Sequence, residues 1–208
     1  LDIIPQIVSS CSVCREWARP GPDNATNLEI PDAFNQQVEC DLLFVGKHII
    51  FHMLDRCTRW HAACTIPDKS KESLIKAVDS IWMSIHGAPQ ELIMDGEGGM
   101  SSHEAQNYLR EKGTKLHVRA KDMHARYVER RGALLRETIL KIQSELARRD
   151  IAAGIPFDRV LAEAVFCGNA LLTVNGTTPY NAVYGRVPHI LPSIDQIDAP
   201  YSTTASQG

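Results

Sequence analysis

The stretch "QVECDLLFVGKHIIFHMLD" (37–55) contains two apolar runs separated by a glycine and a lysine. The first run, 37–45, is almost continuously apolar, which is typical of a strand buried on both faces. The Gly-Lys pair predicts a tight turn into a second strand over 48–55, so that the two strands form a hairpin. A third strand over 61–67 follows a short connection and ends at Pro67, which has no N–H to donate within a sheet.

Outward from these strands, the pattern changes to helices that alternate with strands. Residues 70–86 repeat apolar side chains at three- and four-residue spacing, with Ser70 as candidate N-cap and Gly87 as the stop. The remaining predicted elements are strands over 91–95 and 115–120 and helices over 102–112, 128–149 and 158–174. Three hairpin-linked strands followed by alternating elements predict an α/β fold, with a five-stranded mixed sheet flanked by helices.

Length and composition fit one globular domain with flanking segments. The chain has 208 residues, of which 44% are hydrophobic and 23% are charged. No apolar run reaches the roughly 18–20 residues of a membrane span, and the N-terminus lacks a signal-peptide pattern, so no membrane association is expected. The chain begins with Leu1 rather than Met, which is typical of a fragment or a piece of a polyprotein. Four of the six cysteines are isolated in or beside apolar runs, which favours buried thiols in a reducing compartment.

Charge is unevenly distributed along the chain, although the net charge is only −3. Between Arg110 and Arg149 there are 12 Lys/Arg against 5 Asp/Glu, a local charge of +7. The rest of the chain has 10 Lys/Arg against 20 Asp/Glu, or −10. A basic segment of this kind is typical of a polyanion-binding face and equally of the solvated face of a long helix. Charge alone does not decide between these two interpretations.

Two aspartates stand out by their place in predicted strands. Asp41 lies inside the apolar first strand, where a buried carboxylate needs a cation, hydrogen bonds or a metal. Asp95 ends the fourth strand, at the strand end where α/β sheets tend to bind ligands. If the first and fourth strands are neighbours, both carboxylates face one site. Each also has a simpler interpretation, because local amides can satisfy a buried Asp and an Asp before Gly is a common turn residue.

A third carboxylate, Glu129, lies at the start of the predicted long helix in "YVERRGALLRETILK" (127–141). A helix N-terminus favours a carboxylate. The alternative is an ordinary surface glutamate paired with a neighbouring arginine. If the three carboxylates bind a divalent metal, the arginines around Glu129 suit the phosphates of DNA. The candidate DNA-binding residues are Arg126, Arg130, Arg131 and Arg136.

Several segments, in order, resemble the catalytic core of integrases from retroviruses and LTR retrotransposons. They are "ECDLLFV" with Asp41, "MLDRCTRW" with Asp55, "LIMDGEGG" with Asp95 and "ARYVERRGALLRE" with Glu129. That family has an RNase H-like fold and an Asp, Asp, Glu set whose last two members have a spacing close to the 33 residues found here. The segment "NGTTPYNAVYGRVP" (175–188) is similar to the block that closes this domain in LTR elements.

This resemblance implies a two-metal polynucleotidyl transferase and endonuclease encoded by a retroelement Pol polyprotein. Asp41, Asp95 and Glu129 would hold Mg²⁺ or Mn²⁺, with Asp41 bridging two ions. The implied reactions are trimming of element DNA at its 3′ ends and transfer of those ends into target DNA. DNA is the implied partner, a homo-oligomer the implied state, and the nucleus the implied place of action, after delivery from a cytoplasmic virus-like particle.

The same resemblance divides the chain into three parts. Residues 1–28 would be a linker and the C-terminal remnant of a His-His-Cys-Cys zinc module, whose last two ligands match Cys11 and Cys14 of "CSVC". Two thiolates do not complete a structural zinc site, so Zn²⁺ is expected only if the two histidines are present upstream. Residues 29–188 would be the catalytic core, and 189–208 a flexible tail.

Two departures from the family pattern leave rival functions open. The family usually has Asp-x-Gly followed shortly by Phe, where this chain has "DGEGGM" (95–100), and Asn-Gly before the glutamate, where this chain has "ARY" (125–127). Loss of that glycine is expected to stiffen a loop that moves around DNA. One rival is a decayed or domesticated core that binds DNA or a partner without catalysis, and the other is an RNase H-like nuclease for RNA–DNA hybrids. The strand histidines, including His52 and His61, are interpreted as core or surface residues and not as ligands.

Overall fold

A five-stranded mixed sheet forms the centre of the molecule in the computed structural model, which describes residues 10–13, 31–95, 100, 102–119 and 126–189. The strands are β1 (Gln37–Val45), β2 (His48–Asp55), β3 (His61–Ile66), β4 (Glu91–Asp95) and β5 (Lys115–Arg119). Their order across the sheet is β3-β2-β1-β4-β5. The β1–β2 and β2–β3 pairs are antiparallel, whereas β1–β4 and β4–β5 are parallel. The mixed sheet predicted from the sequence is therefore confirmed.

The helices lie close to their predicted positions. They are α1 (Lys71–Val78), α2 (Ser84–His86), α3 (His103–Glu111), α4 (Arg126–Arg148), α5 (Phe157–Leu171) and α6 (Pro179–Tyr184). A π-helical turn over Asp79–Met83 joins α1 to α2, so the predicted helix over 70–86 is one continuous helical segment. The Ser70 side chain caps it by accepting from the Ser73 amide at 3.3 Å, and Gly87 ends it with a left-handed φ of 78°.

Helix α6, which forms within the closing block 175–188, was not predicted from the sequence. Thr178 caps this helix by accepting a hydrogen bond from the amide of Asn181. Pro179 occupies the first turn, and Gly185 follows the last residue with a left-handed φ of 66°. Proline at the start and glycine just past the end are the standard signals of a short helix. The block is therefore a structural element in its own right.

One face of the sheet packs mainly through apolar side chains. Val38 and Cys40 of β1 and Phe51 and Met53 of β2 point to this face. The segment α1–α2 and helix α3 cover it, with Trp82 fully buried at the centre. Met100 is also fully buried here. We name this the apolar face of the sheet.

The opposite face, which we name the α4 face, packs against α4 and α5. Its apolar part joins Leu43 and Val45 of β1 to Leu135 and Ile139 of α4, one helical turn apart. Three residues of α5 complete this cluster: Val160, Leu161 and Ala164. Within the described ranges, no helix has both the length and the apolar character needed to cross a membrane.

Candidate active site

Asp41 lies on β1 and points to the α4 face, because side chains alternate along a strand and Leu43 packs on that side. Its side chain is partly buried, and the amide of Leu42 donates a hydrogen bond to Oδ1 at 2.7 Å. The parallel β1–β4 register pairs Cys40 with Met94. Asp41 is the next residue after Cys40 on β1, and Asp95 is the next residue after Met94 on β4. The two aspartates therefore lie at neighbouring positions on adjacent strands. The side chain of Asp95 lies outside the described residues.

Glu129 lies in the first turn of α4 and is partly buried. A second carboxylate holds this turn against the sheet. Glu39 of β1 is fully buried, and its Oε2 accepts a hydrogen bond from the amide of Val128 at 2.9 Å. Its Oε1 lies 3.5 Å from Nε of Arg56. Because Glu39 is two residues before Asp41 and points to the same face, β1 carries Asp41 and also fixes the turn that carries Glu129.

Glu39 was not among the site residues predicted from the sequence, although the sequence contains a signal for it. Glu39 is a charged residue inside the apolar run of β1, and its side chain points to the same face of the sheet as that of Asp41. A buried charge of this kind requires a specific partner. The partners are an amide at a helix N-terminus, which favours negative charge, and a guanidinium group. Neither could be identified from the sequence, since α4 follows Glu39 by almost ninety positions.

The donor set fits a hard divalent cation. Asp41 and Glu129 offer carboxylate oxygens at one end of the α4 face, and the strand register places Asp95 beside Asp41. Oxygen donors of this kind suit Mg²⁺ or Mn²⁺. Among the residues whose side chains are described, no three His, Cys, Asp or Glu side chains converge on one point. Asp95, the third ligand of the predicted set, is not among those residues.

The four candidate DNA-binding arginines lie in different environments. Arg130 and Arg136 are exposed on α4, one residue and seven residues after Glu129. Arg126 begins α4, and its side chain is outside the described residues. The prediction for Arg131 is wrong, because its side chain is only 6% exposed and points into the protein. Helical periodicity explains the difference, since residues one apart point about 100° away from each other.

Arg131 belongs to a buried polar cluster between the sheet and the two long helices. Its Nη2 donates to Oδ1 of Asn169 on α5 at 3.2 Å, and the same oxygen accepts from the amide of His61 at 3.0 Å. The Asn169 amide group donates to the His61 carbonyl at 2.7 Å. His61 Nε2 lies 3.2 Å from Nδ1 of His52, so one ring donates to the other. The cluster joins β2, β3, α4 and α5.

Burial keeps both histidine rings neutral. Desolvation, and secondly the charge of Arg131, lower the pKa of His52 to about 3. The same two causes hold the pKa of His61 well below its ordinary value. Burial also lowers the pKa of Arg131 to about 10. The strand histidines were interpreted as core or surface residues, and these two lie in the core, because both are at most 1% exposed.

Gly132 of α4 is needed where the helix crosses the histidine cluster. A Cβ at Gly132 would lie 3.0 Å from Cε1 of His52, closer than nearly all real Cβ contacts. The helix therefore approaches β2 closely at this point because no side chain intervenes. This contact fixes α4 one turn after Glu129.

Asp55, the fourth acidic residue in the matching segments, organises a turn. It is fully buried, and it accepts hydrogen bonds from the Thr58 amide at 2.6 Å, the Thr58 hydroxyl at 2.8 Å and the Asn35 amide at 2.9 Å. These three hydrogen bonds satisfy the Asp55 carboxylate, so it does not require a metal. Asp55 is therefore a structural residue of the β2–β3 connection.

The proposed zinc remnant is described only in part. Cys11 is partly buried and forms no disulfide, and Cys14 lies outside the described residues. The predicted boundaries at 28 and 189 border or fall within undescribed segments, so the three-part division stays a prediction.

Comparison with known proteins gives a consistent picture. Residues 31–123 match the model of a family described as integrase core domain. A structure of the simian T-cell lymphotropic virus intasome in complex with PP2A regulatory subunit B56 gamma is similar at 17% identity and a TM-score of 0.68, over 92% of this chain and 70% of that chain. No curated protein matches this chain.

Two isolated catalytic cores are also similar in structure. The HTLV-2 integrase catalytic core domain in complex with magnesium, in its dimeric form, has 16% identity and a TM-score of 0.60, over 71% of this chain and 94% of that chain. The catalytic core domain of BIV integrase has 16% identity and a TM-score of 0.59, over 71% of this chain and 93% of that chain. At these identities the likeness establishes the fold, an RNase H-like core with strand order β3-β2-β1-β4-β5.

Proposed function

We propose that the protein is a retroelement integrase, because residues 31–123 match the model of the integrase core domain family. Its reactions are metal-dependent trimming of element DNA at the 3′ ends and transfer of those ends into target DNA. One observation carries this proposal. Glu39 fixes the first turn of α4 to β1, so that Glu129 lies beside the strand that carries Asp41, with Asp95 next to it in register.

Asp41, Asp95 and Glu129 are the residues that would hold Mg²⁺ or Mn²⁺. When bound, divalent metal stabilises the attacking and leaving oxygens of phosphodiester exchange. The protein supplies hard oxygen donors on two adjacent strands and at one helix end, where Glu129 lies in the first turn of α4. The similar HTLV-2 core was solved with magnesium, which supports the same choice of ion here.

Arg130 and Arg136 supply the DNA contacts in this proposal. Both are exposed on α4, and they follow Glu129 by one and seven residues. Guanidinium groups bind phosphate oxygens without regard to base sequence, as a DNA-joining enzyme requires for its target. The described part of α4 thus presents cationic groups beside the acidic site, which positions a phosphodiester against the carboxylates.

Assembly and location follow from the same reaction. Joining two element ends to one target requires more than one active site, so we propose a homo-oligomer. The similar structures support this, since one is an intasome and another is a dimeric form. Target DNA is chromosomal in this proposal, which places the protein in the nucleus after delivery from a cytoplasmic virus-like particle.

The test is the substitution Glu129→Gln, assayed for DNA strand transfer with Mg²⁺ and with Mn²⁺. The amide keeps the size of the side chain but removes the charge that metal requires, so transfer should fall to background. DNA binding should survive, because the exposed arginines are unchanged. Glu145→Gln is the matched control, since Glu145 lies on the same helix and pairs with Arg149 far from the site. The control should transfer DNA at the normal rate.

Other outcomes point to the rival functions. Strand transfer by Glu129→Gln would remove Glu129 from the site. A wild-type protein that binds DNA but neither nicks nor joins it with either metal would be a binding module derived from an integrase. Metal-dependent cleavage of RNA–DNA hybrids without DNA joining would indicate an RNase H-like nuclease.

A further inference from the structure

The first turn of α4 needs support from outside the helix. The first four amides of any helix have no partner within it, and helix ends fray for that reason. Glu129 lies in this turn, only three residues after the helix begins. A side chain that must hold a fixed place beside Asp41 therefore depends on contacts made by its neighbours Tyr127 and Val128.

The turn between β2 and β3 provides one of these contacts. Asp55 fixes the turn through its hydrogen bonds to Thr58, and the Arg59 amide donates to the Asp55 carbonyl at 3.0 Å. The turn then presents the Arg59 guanidinium to the aromatic ring of Tyr127. The guanidinium carbon lies 3.6 Å from the ring centroid, and that of Arg56 lies 5.3 Å from it.

The backbone conformation of Arg59 indicates that its side chain has a specific role. Arg59 adopts a φ of +65°, a left-handed conformation that glycine adopts freely and arginine only with strain. Turn geometry alone would favour glycine at this position. One guanidinium nitrogen, Nη1, is buried and makes no hydrogen bond within the described structure. A desolvated guanidinium over an aromatic face is the stronger form of the cation–π interaction.

Glu39 provides the second contact. It accepts the Val128 amide hydrogen bond at 2.9 Å, and Arg56 lies against its other oxygen. Val128 also packs on Leu54 of β2 in a small apolar cluster with Tyr127. Two consecutive residues of α4 are thus held from two directions, one by the β2–β3 turn and one by β1. The next residue is Glu129.

We propose that Arg59 and Glu39 are positioning residues for Glu129, acting through Tyr127 and Val128, an inference that rests on the proposed integrase function. Glu39 is fully buried and cannot reach DNA. The segments "MLDRCTRW" and "QVEC" therefore serve the active site indirectly, by fixing the helix end on which its third carboxylate lies.

The decisive variant is Arg59→Gly, studied in the full chain. Glycine accepts the left-handed backbone, so the turn should persist and the melting temperature should change little. The matched control is Asp150→Gly, because Asp150 is exposed, lies at the other end of α4 and has a left-handed φ of +55°. The control removes similar strain without touching the β2–β3 turn.

Two measurements detect the effect of Arg59→Gly on the first turn of α4. In metal-free protein, amide hydrogen exchange of Val128 and Glu129 should accelerate about tenfold in Arg59→Gly, while exchange in α5 stays unchanged. In the strand-transfer assay, the rate at saturating DNA should fall about tenfold with no change in the dissociation constant for DNA. Arg59→Lys keeps a cation over the ring and should recover part of both losses. Asp150→Gly should behave as the wild type in both.

Glu39→Gln tests the second contact. The amide oxygen can still accept from Val128, but the charge opposite Arg56 and the helix end is lost, so Val128 exchange should rise by a smaller factor than in Arg59→Gly. Normal exchange of the α4 first turn in Arg59→Gly would overturn the proposal. So would weaker DNA binding with an unchanged rate, since that result makes Arg59 a DNA contact. If the wild type joins no DNA, the proposed function fails, and the exchange data alone still show whether Arg59 holds the helix end.

Discussion

The two faces of the sheet are built from different chemistry. On the apolar face, every fully buried side chain of the central cluster is hydrophobic, with Trp82 as the largest. On the α4 face, the apolar cluster covers one end only, and beside it lie buried polar groups. These are Glu39, His52, His61, Arg131 and Asn169. Both faces exclude water, but the connected cluster of buried polar side chains lies on the α4 face.

This difference links the apolar face mainly to stability and the α4 face mainly to the proposed function. Burial of apolar area stabilises the fold without directional requirements. Buried polar groups add little net stability and cost much when a partner is lost, but they fix geometry. The proposed catalytic residues lie at the polar end of the α4 face, where Glu39 and the histidine cluster hold α4 in place. We therefore expect substitutions on the two faces to have opposite profiles.

The largest expected effect is loss of stability on the apolar face. Trp82→Ala should lower the free energy of unfolding by about 3–5 kcal/mol, because it opens a large cavity. It also removes the indole N–H that donates to Oδ1 of Asn35 at 2.8 Å. Urea denaturation followed by circular dichroism measures the change. Trp60→Ala is the control, since Trp60 is only partly buried. A loss in Trp82→Ala no larger than in the control would contradict the assignment of this face as the main source of stability.

The next effect is acid sensitivity of the α4 face. The pKa values of His52 and His61 are lowered in the folded protein, to about 3 for His52. The unfolded chain therefore binds more protons below pH 6.5, so stability is complete above that pH and falls as pH drops towards 3. Each histidine contributes up to about 1.4 kcal/mol per pH unit in this window. Urea midpoints at pH 7.5, 6 and 5 measure the slope.

Two variants sharpen this pH prediction. His103 is exposed on α3, so His103→Ala should keep the slope of the wild type. Arg131→Met should keep most of it, because burial lowers the pKa of both rings more than the charge of Arg131 does. An unfolding free energy that is constant between pH 7.5 and 5 would show that the rings are not buried as neutral groups.

The smallest effect is expected for Arg131→Met. Arg131 has no ion-pair partner in the described part of the chain, and its one side-chain partner, Asn169, keeps its bond from the His61 amide. Replacing a desolvated charge by an apolar chain should change stability by less than about 1 kcal/mol. DNA affinity should also stay unchanged. Arg136→Met is the comparison, because that exposed side chain should contribute to DNA affinity and to its salt dependence. Weakened DNA binding in Arg131→Met would restore Arg131 as a DNA contact.

Much of the fold could be predicted because its signals are local. The strand bounds 37–45, 48–55 and 91–95 follow from apolar runs that end at turns, and the predicted and observed bounds agree. The start at Ser70 and the stop at Gly87 follow from capping chemistry. The unpredicted helix α6 carries equally local signals in Thr178, Pro179 and Gly185, so that element could also have been predicted.

The site was predictable only in its outline. Asp41, Asp95 and Glu129 were proposed from context and order, and the register of β1 and β4 places the first two side by side. Arg131 was misread because four arginines near one glutamate look alike in a sequence, whereas a helix turns each to a different environment. Glu39 was missed because its partners come from distant segments.

The sequence by itself determined the elements, their order and the resemblance of the core to integrases, since these depend on periodicity, turn residues and spacing. Only the tertiary structure decided which polar residues serve the site and which serve the fold. In the folded chain, Arg131 points inward and Asp55 organises a turn. Glu39 and Arg59 lie at the end of α4. The physical reason is that partners of buried charges are chosen by proximity in space, and a linear sequence does not record those distances.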